Sequence, residues 1–144
     1  MEATGRKGVL KLVEGTMDGK KYRKVVRKEV MESASILFNG SSFVFQQDNA
    51  TPHTARRTKS LFARRHVKVM KWPAQSPDMN PIEHVWRRLK TMVWGRKPTT
   101  MEELITCIHE EWDKLDENFI KKLVEGMPRR VTALAKARGR NTKY

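Results

Sequence analysis

Along residues 9–14, Val9-Leu10-Lys11-Leu12-Val13-Glu14, apolar and polar positions alternate only weakly, and the segment reads as a short strand. Gly15-Thr16-Met17-Asp18-Gly19 ends it as a turn. Over residues 20–38 the apolar positions Tyr22, Val25, Val26, Val30, Ile36 and Leu37 fit one face of a helix, with basic residues on the other side. After a loop at Asn39-Gly40-Ser41-Ser42, residues 43–47 are too few and too apolar for a surface helix and read as a buried strand. A short basic helix over 54–65 and a second alternating strand over 67–72 follow.

Residues 73–78 read as a loop. Asn80 is placed to cap a helix with Pro81 at its first position, running to about residue 93 and ended by Gly95-Arg96-Lys97-Pro98. Thr100 with Glu103 has capping-box spacing and opens a helix over 101–115. Asp116 caps a short helix over 119–126, and a basic helix from residue 128 or 129 to 137 leads into a polar tail. Strands alternating with helices, then helices alone, predict an α/β domain with a small mixed or parallel sheet and a helical C-terminal half.

Charge narrows the partners. Thirty Lys and Arg against sixteen Asp and Glu give +14 over 144 residues and a pI near 10.3, which points to a polyanion, DNA or RNA first. A solvated basic surface is the plainer alternative. The lone Cys107 excludes an internal disulfide and a cysteine-based zinc site, and it falls at a small core position. No stretch has the ~20 apolar residues of a membrane span, and residues 1–8 hold no apolar signal core. No membrane and no small-molecule substrate are expected, and the expected compartment is the nucleus.

The candidate chemistry lies in Asp48, at the end of the apolar run 43–47, and Glu83, in the first turn of the helix after Asn80. A carboxylate at a strand tip and one at a helix start can converge on a hard divalent cation. Paired cations of that kind clamp the attacking and leaving oxygens of a phosphodiester. Each residue also has an ordinary explanation: Asp48 can cap the turn at Asn49-Ala50, and the helix dipole favours Glu83. His53 and His84 lack a third nitrogen or sulfur partner for zinc. His53 is expected to fix the turn after Asp48, and His84 to pack or hydrogen-bond beside the site. Trp86 and Trp112 fall at core spacing, whereas Trp72 and Trp94 sit beside prolines and basic residues that suit DNA. Arg56, Arg57, Arg87, Arg88, Lys90, Arg96 and Lys97 are the candidate phosphate contacts, and Arg87, Arg88 and Lys90 share their helix with Glu83.

Gln47-Asp48-Asn49-Ala50 with His53, followed by the run from Trp72 through Ser76-Pro77-Asp78-Met79-Asn80-Pro81-Ile82-Glu83-His84 to Trp86, resembles the catalytic domain of Tc/mariner transposases in their Sleeping Beauty-like branch. In that branch 34 residues separate the second and third members of an Asp–Asp–Glu triad, as they do Asp48 and Glu83 here. Glu14-Gly15-Thr16-Met17-Asp18 with Tyr22, and Met127-Pro128-Arg129-Arg130 with Thr142-Lys143-Tyr144, extend the likeness to both ends.

The resemblance implies a ribonuclease H-like fold, Mg²⁺ or Mn²⁺ held by the triad, DNA as partner and a homodimer as an allowed assembly. It also implies departures. The family's helix-turn-helix DNA-binding units, its first two strands and its first catalytic Asp have no counterpart here, so residues 1–144 are expected to be a partial and catalytically impaired domain. Whether it is an enzyme stays open. Asp18 is the nearest substitute for the missing Asp, but in the family's sheet its strand lies two positions, ~10 Å, from that Asp's strand. That is too far for a metal ligand unless the strand slides in beside residues 43–47. Glu29 and Glu32 are weaker substitutes, expected to face solvent. A working subunit completed by another chain, and a repurposed non-catalytic DNA-binding or interaction module, are the alternatives.

Overall fold

The computed structural model of the chain describes residues 5–72 and 79–138. It divides into two compact units, Gly8–Gln75 and a second made of Met1–Lys7 with Ser76–Tyr144.

In the first unit Asp18 starts helix α1 (Gly19–Val25) by accepting the Lys21 amide at 2.7 Å, which satisfies one of the helix's orphan donors. A π-helical stretch, Val26–Val30, joins it to α2 (Met31–Phe38) without a break. The sequence predicts one regular helix here, with Ile36 on its inner face. The extra residue of a π turn slides later positions by one, so Ala34 is buried where Ser33 would have been and Ile36 is turned out, 74 % exposed.

β1 (Val44–Phe45) pairs in parallel with β2 (Lys68–Val69), Val44 opposite Lys68 and Phe45 opposite Val69, and Met70 N–H donates to the Phe45 carbonyl at 2.8 Å. Both strands are far shorter than the runs that predict them. β1 is not buried as expected either: Val44 is 48 % exposed, because among the described residues β1 pairs on one side only. The strand expected over residues 9–14 is absent as well. Val9 N–H donates to Ser33 Oγ at 3.4 Å and Lys11 pairs with Glu29 at 3.7 Å, so this segment lies along α2 and the π turn with Val9 and Leu12 exposed. Alternation marks two faces but names no partner strand.

The basic helix predicted over 54–65 is split at Ala55, which is extended, into α3 (Thr51–Thr54) and α4 (Arg56–Arg64). Buried Thr58 ties the pieces together by donating its hydroxyl to the Pro52 carbonyl at 2.8 Å. The core is Tyr22, Val26, Leu61 and Phe62, with Met17, Phe45, Val67 and Val69 packed against it.

The second unit is helical. α5 (Pro81–Gly95) buries Pro81, Val85, Leu89 and Val93, a stripe of every fourth residue. α6 (Met101–Asp113) begins with the expected capping box: Thr100 accepts the Glu103 amide at 3.1 Å, while Glu103 accepts from the Thr99 and Thr100 amides. α6 packs on α5, as does α7 (Glu117–Glu125), which Asp116 caps through the Asn118 amide; α8 (Met127–Lys136) packs on α7. Cys107 and Trp112 are buried as expected, and half-buried Trp86 stacks on Trp112 with ring centroids 5.5 Å apart. Gly5 has φ +90°, and a Cβ there would overlap the Glu117 carbonyl oxygen. The loop predicted over 73–78 and residues 139–144 of the predicted tail lie outside the described residues.

Candidate functional site

Asp48 is delivered by β1, three residues beyond Phe45, and its side chain is 61 % exposed. Its Oδ1 accepts the Ala50 amide at 3.0 Å, the side-chain-to-backbone turn to which Asp is suited. The same oxygen lies 2.5 Å from His53 Nδ1. A neutral imidazole in that position carries its proton on Nδ1 and donates it. The Ala50 amide, and after it His53, hold the Asp48 carboxyl below the usual carboxylate range against the opposing effect of burial. Asp48 is therefore ionised at neutral pH.

His53 is itself held. Its ring lies on buried Tyr22 of α1, centroids 4.1 Å apart, and the Tyr22 hydroxyl donates to Gln47 Oε1 at 2.5 Å. Gln47 Nε2 in turn donates to the His53 carbonyl at 3.4 Å. Asp48, His53, Tyr22 and Gln47 thus form one connected arrangement that fixes the strand end to α1. Burial, and then the charge of Asp48, push the Tyr22 hydroxyl well above its ordinary pKa, so it stays a donor. Asn49 secures the other side of the turn by donating Nδ2 to the Trp72 carbonyl at 2.9 Å. A hollow of about 510 Å³ lies here, lined among others by Asp48, His53, Lys59, Phe62 and half-buried Trp72.

Glu83 lies in the other unit, exposed in the first turn of α5. Pro81 sets that turn, and the Glu83 amide donates to the Asn80 carbonyl at 3.1 Å. Asn80 stands at the cap position without a side-chain cap bond. Helical spacing puts Glu83, Arg87, Lys90 and Trp94 on one face of α5, and Trp94 is 78 % exposed. Arg88 is exposed elsewhere on the helix. His84 accepts from Arg130 Nη1 at 2.5 Å, so α8 reaches the residue beside Glu83.

The other sequence candidates fall variously. Arg56 and Arg57 are exposed on α4, and Lys97 is exposed past the end of α5 with φ +51°. Arg96 is engaged within the fold, pairing with Glu110 and, at 3.2 Å, with Glu111. Asp18 is committed to capping α1, and the strand that would have to carry it toward Asp48 is not formed. Glu32 is exposed as expected, whereas Glu29 is mostly covered and pairs with Lys11. Among the described residues no three His, Cys, Asp or Glu side chains are grouped so as to hold a metal ion. The roles of Tyr22 and Gln47 in holding the Asp48 turn escape sequence reasoning, because their hydrogen bond joins residues 25 positions apart.

The family described as DDE superfamily endonuclease matches residues 3–105. The Transposable element Tc1 transposase of Caenorhabditis elegans is 36 % identical over 137 residues, covering 95 % of this chain and 50 % of that protein. The Tc3 transposase of the same species is 31 % identical, with 94 % and 41 % covered. The chain spans about half the length of the curated relatives it matches. Among solved structures, the catalytic domain of Mos1 transposase with Raltegravir and Mn superposes with a TM-score of 0.80 over 90 % of this chain and 68 % of that one, at 18 % identity. The fold is thus the ribonuclease H-like fold of a transposase catalytic domain.

Proposed function

Because this chain belongs to the DDE superfamily of endonucleases and is homologous to the Tc1/mariner transposases, we propose that it is a transposase-derived DNA-binding domain that does not cut DNA by itself. One observation carries this reading: the Asp48 turn is built to present an ionised carboxylate, yet among the described residues no three His, Cys, Asp or Glu side chains are grouped so as to hold a metal ion. Two carboxylates that match the triad's second and third members would leave Mg²⁺ or Mn²⁺ weakly held and largely hydrated. The described residues do not complete a metal site. The protein's part in such chemistry is positioning and charge stabilisation, and a missing ligand removes both.

DNA is the partner that the +14 charge suits, with Arg56, Arg57, Arg87, Arg88, Lys90 and Lys97 exposed to meet phosphates and Arg96 held back by its carboxylates. Nuclear localisation belongs to the same proposal, and so does a homodimer.

Two assays on the purified chain test it. Fluorescence anisotropy with a duplex is expected to show binding that weakens steeply with salt. Incubation of supercoiled plasmid with Mn²⁺ is expected to give no nicking. Nicking that Asp48→Ala and Glu83→Ala both abolish would overturn the inactive reading, and an absence of duplex binding at low salt would overturn the DNA-binding one.

A further inference from the structure

On the far side of α4 from the Asp48 hollow, five arginines converge. Arg23 and Arg27, four residues apart across α1 and the π turn, face Arg56, Arg57 and Arg64 of α4, with Ser60 between them. Together they line a groove of about 720 Å³ that shares no residue with the hollow beside Asp48. Lys59, Phe62 and Ala63 of α4 point to that hollow; Arg56, Ser60 and Arg64 recur every fourth residue on the other face. Among the described residues no carboxylate lines the groove, and none of the five arginines enters an ion pair. The Arg23 guanidinium lies back over the helix start, where a Cβ on Gly19 would come within 3.1 Å of its Nη1.

Five like charges in one concavity repel one another unless an anion sits among them. Arginine forks pair with phosphate oxygens in a bidentate manner that a diffuse surface does not offer. From Arg56 to Arg64 the helix rises ~12 Å, and a DNA strand presents a phosphate every ~3.4 Å of axis, so the groove can meet about three phosphates. We propose that this α1–α4 groove is a seat for the DNA sugar–phosphate backbone, separate from the hollow beside Asp48. It rests on the reading that the domain binds DNA. It places Arg56 and Arg57 in a site that also requires Arg23, Arg27 and Arg64.

The test is the salt dependence of duplex binding by the whole chain. A groove variant, Arg23→Gln with Arg27→Gln and Arg64→Gln, is compared with an α5 variant, Arg87→Gln with Arg88→Gln and Lys90→Gln. Circular dichroism melts establish that both fold. Losing three phosphate contacts is expected to lower the slope of log K against log salt by about 2 to 3 in the groove variant. Replacing the same three residues by Lys is expected to restore most of the slope. Inorganic phosphate at millimolar concentration is expected not to compete, since a free ion engages only part of the groove; full competition would make it a phosphate site and overturn the backbone assignment. A groove variant with unchanged slope beside a weakened α5 variant would overturn the groove and leave DNA binding standing. Failure of the wild-type chain to bind would overturn both.

Discussion

Asp48 and Glu83 have the same chemistry and opposite kinds of support. Asp48 is held by its own turn and by a distant backing: the Ala50 amide and His53, two and five residues on, fix its oxygen, Tyr22 of α1 backs His53 from 25 or more residues away, and Gln47 closes the arrangement. Glu83 is held by its own helix, its amide bonded to the Asn80 carbonyl and its place set by Pro81. A carboxylate placed by a helix turn survives wherever that turn forms. A carboxylate placed by a strand end and a packed aromatic survives only with the surrounding fold.

The largest expected effect breaks the Asp48 side at its base. Tyr22→Ala removes a buried aromatic from the small core of Val26, Leu61 and Phe62 and takes the backing from His53. Truncation of a core aromatic costs about 3–5 kcal/mol, a large share of any single domain's stability. Amide hydrogen exchange is expected to speed up throughout α1 and α4, read by mass spectrometry. A loss below about 1 kcal/mol in urea denaturation would mean that Tyr22 does not hold the Asp48 turn, since core truncation alone should exceed it.

A middle effect probes helix-internal support of the kind Glu83 depends on. Thr100→Ala removes half of the capping box at the start of α6, and losing a cap of this kind costs about 1 kcal/mol. Exchange is expected to rise in the first turn of α6 and hardly at all in α1, as checked on the same instrument. Fraying that spreads beyond α6 would contradict the picture of locally fixed helix ends.

The same division explains what could be read from the chain. Helix caps at Thr100 and Asp116 are written in residues two or three apart, and they were legible, as was the start of α5 at Asn80-Pro81. Residues 9–14 alternate only weakly and read as a strand, but no ladder forms there, because pairing depends on a partner that periodicity does not name. The π turn at Val26–Val30, which turned Ile36 outward, left no local mark either. Asp48 and Glu83 were legible as candidates from their positions and from a long motif. Tyr22 and Gln47, and the facing of Arg23 and Arg27 toward α4, depend on tertiary approach and were not.

The smallest expected effect separates the two supports of Asp48 by pH. Its folded pKa lies below the ordinary 3.8, so the contribution of the ionised carboxylate is fully present above that ordinary value and is lost as pH falls through the folded one. The stability gap between wild type and Asp48→Asn, from urea midpoints, is expected to persist at about pH 4 and above and to close as pH falls below that. With the side chain 61 % exposed, solvent screening keeps that gap smaller than the cap effect. In a His53→Ala background the gap should shrink but persist, because the Ala50 amide is the larger cause of the lowered pKa. A gap that vanished entirely with His53 would instead make the imidazole the sole support of Asp48. The turn at Asn49-Ala50 would then follow the carboxylate rather than fix it.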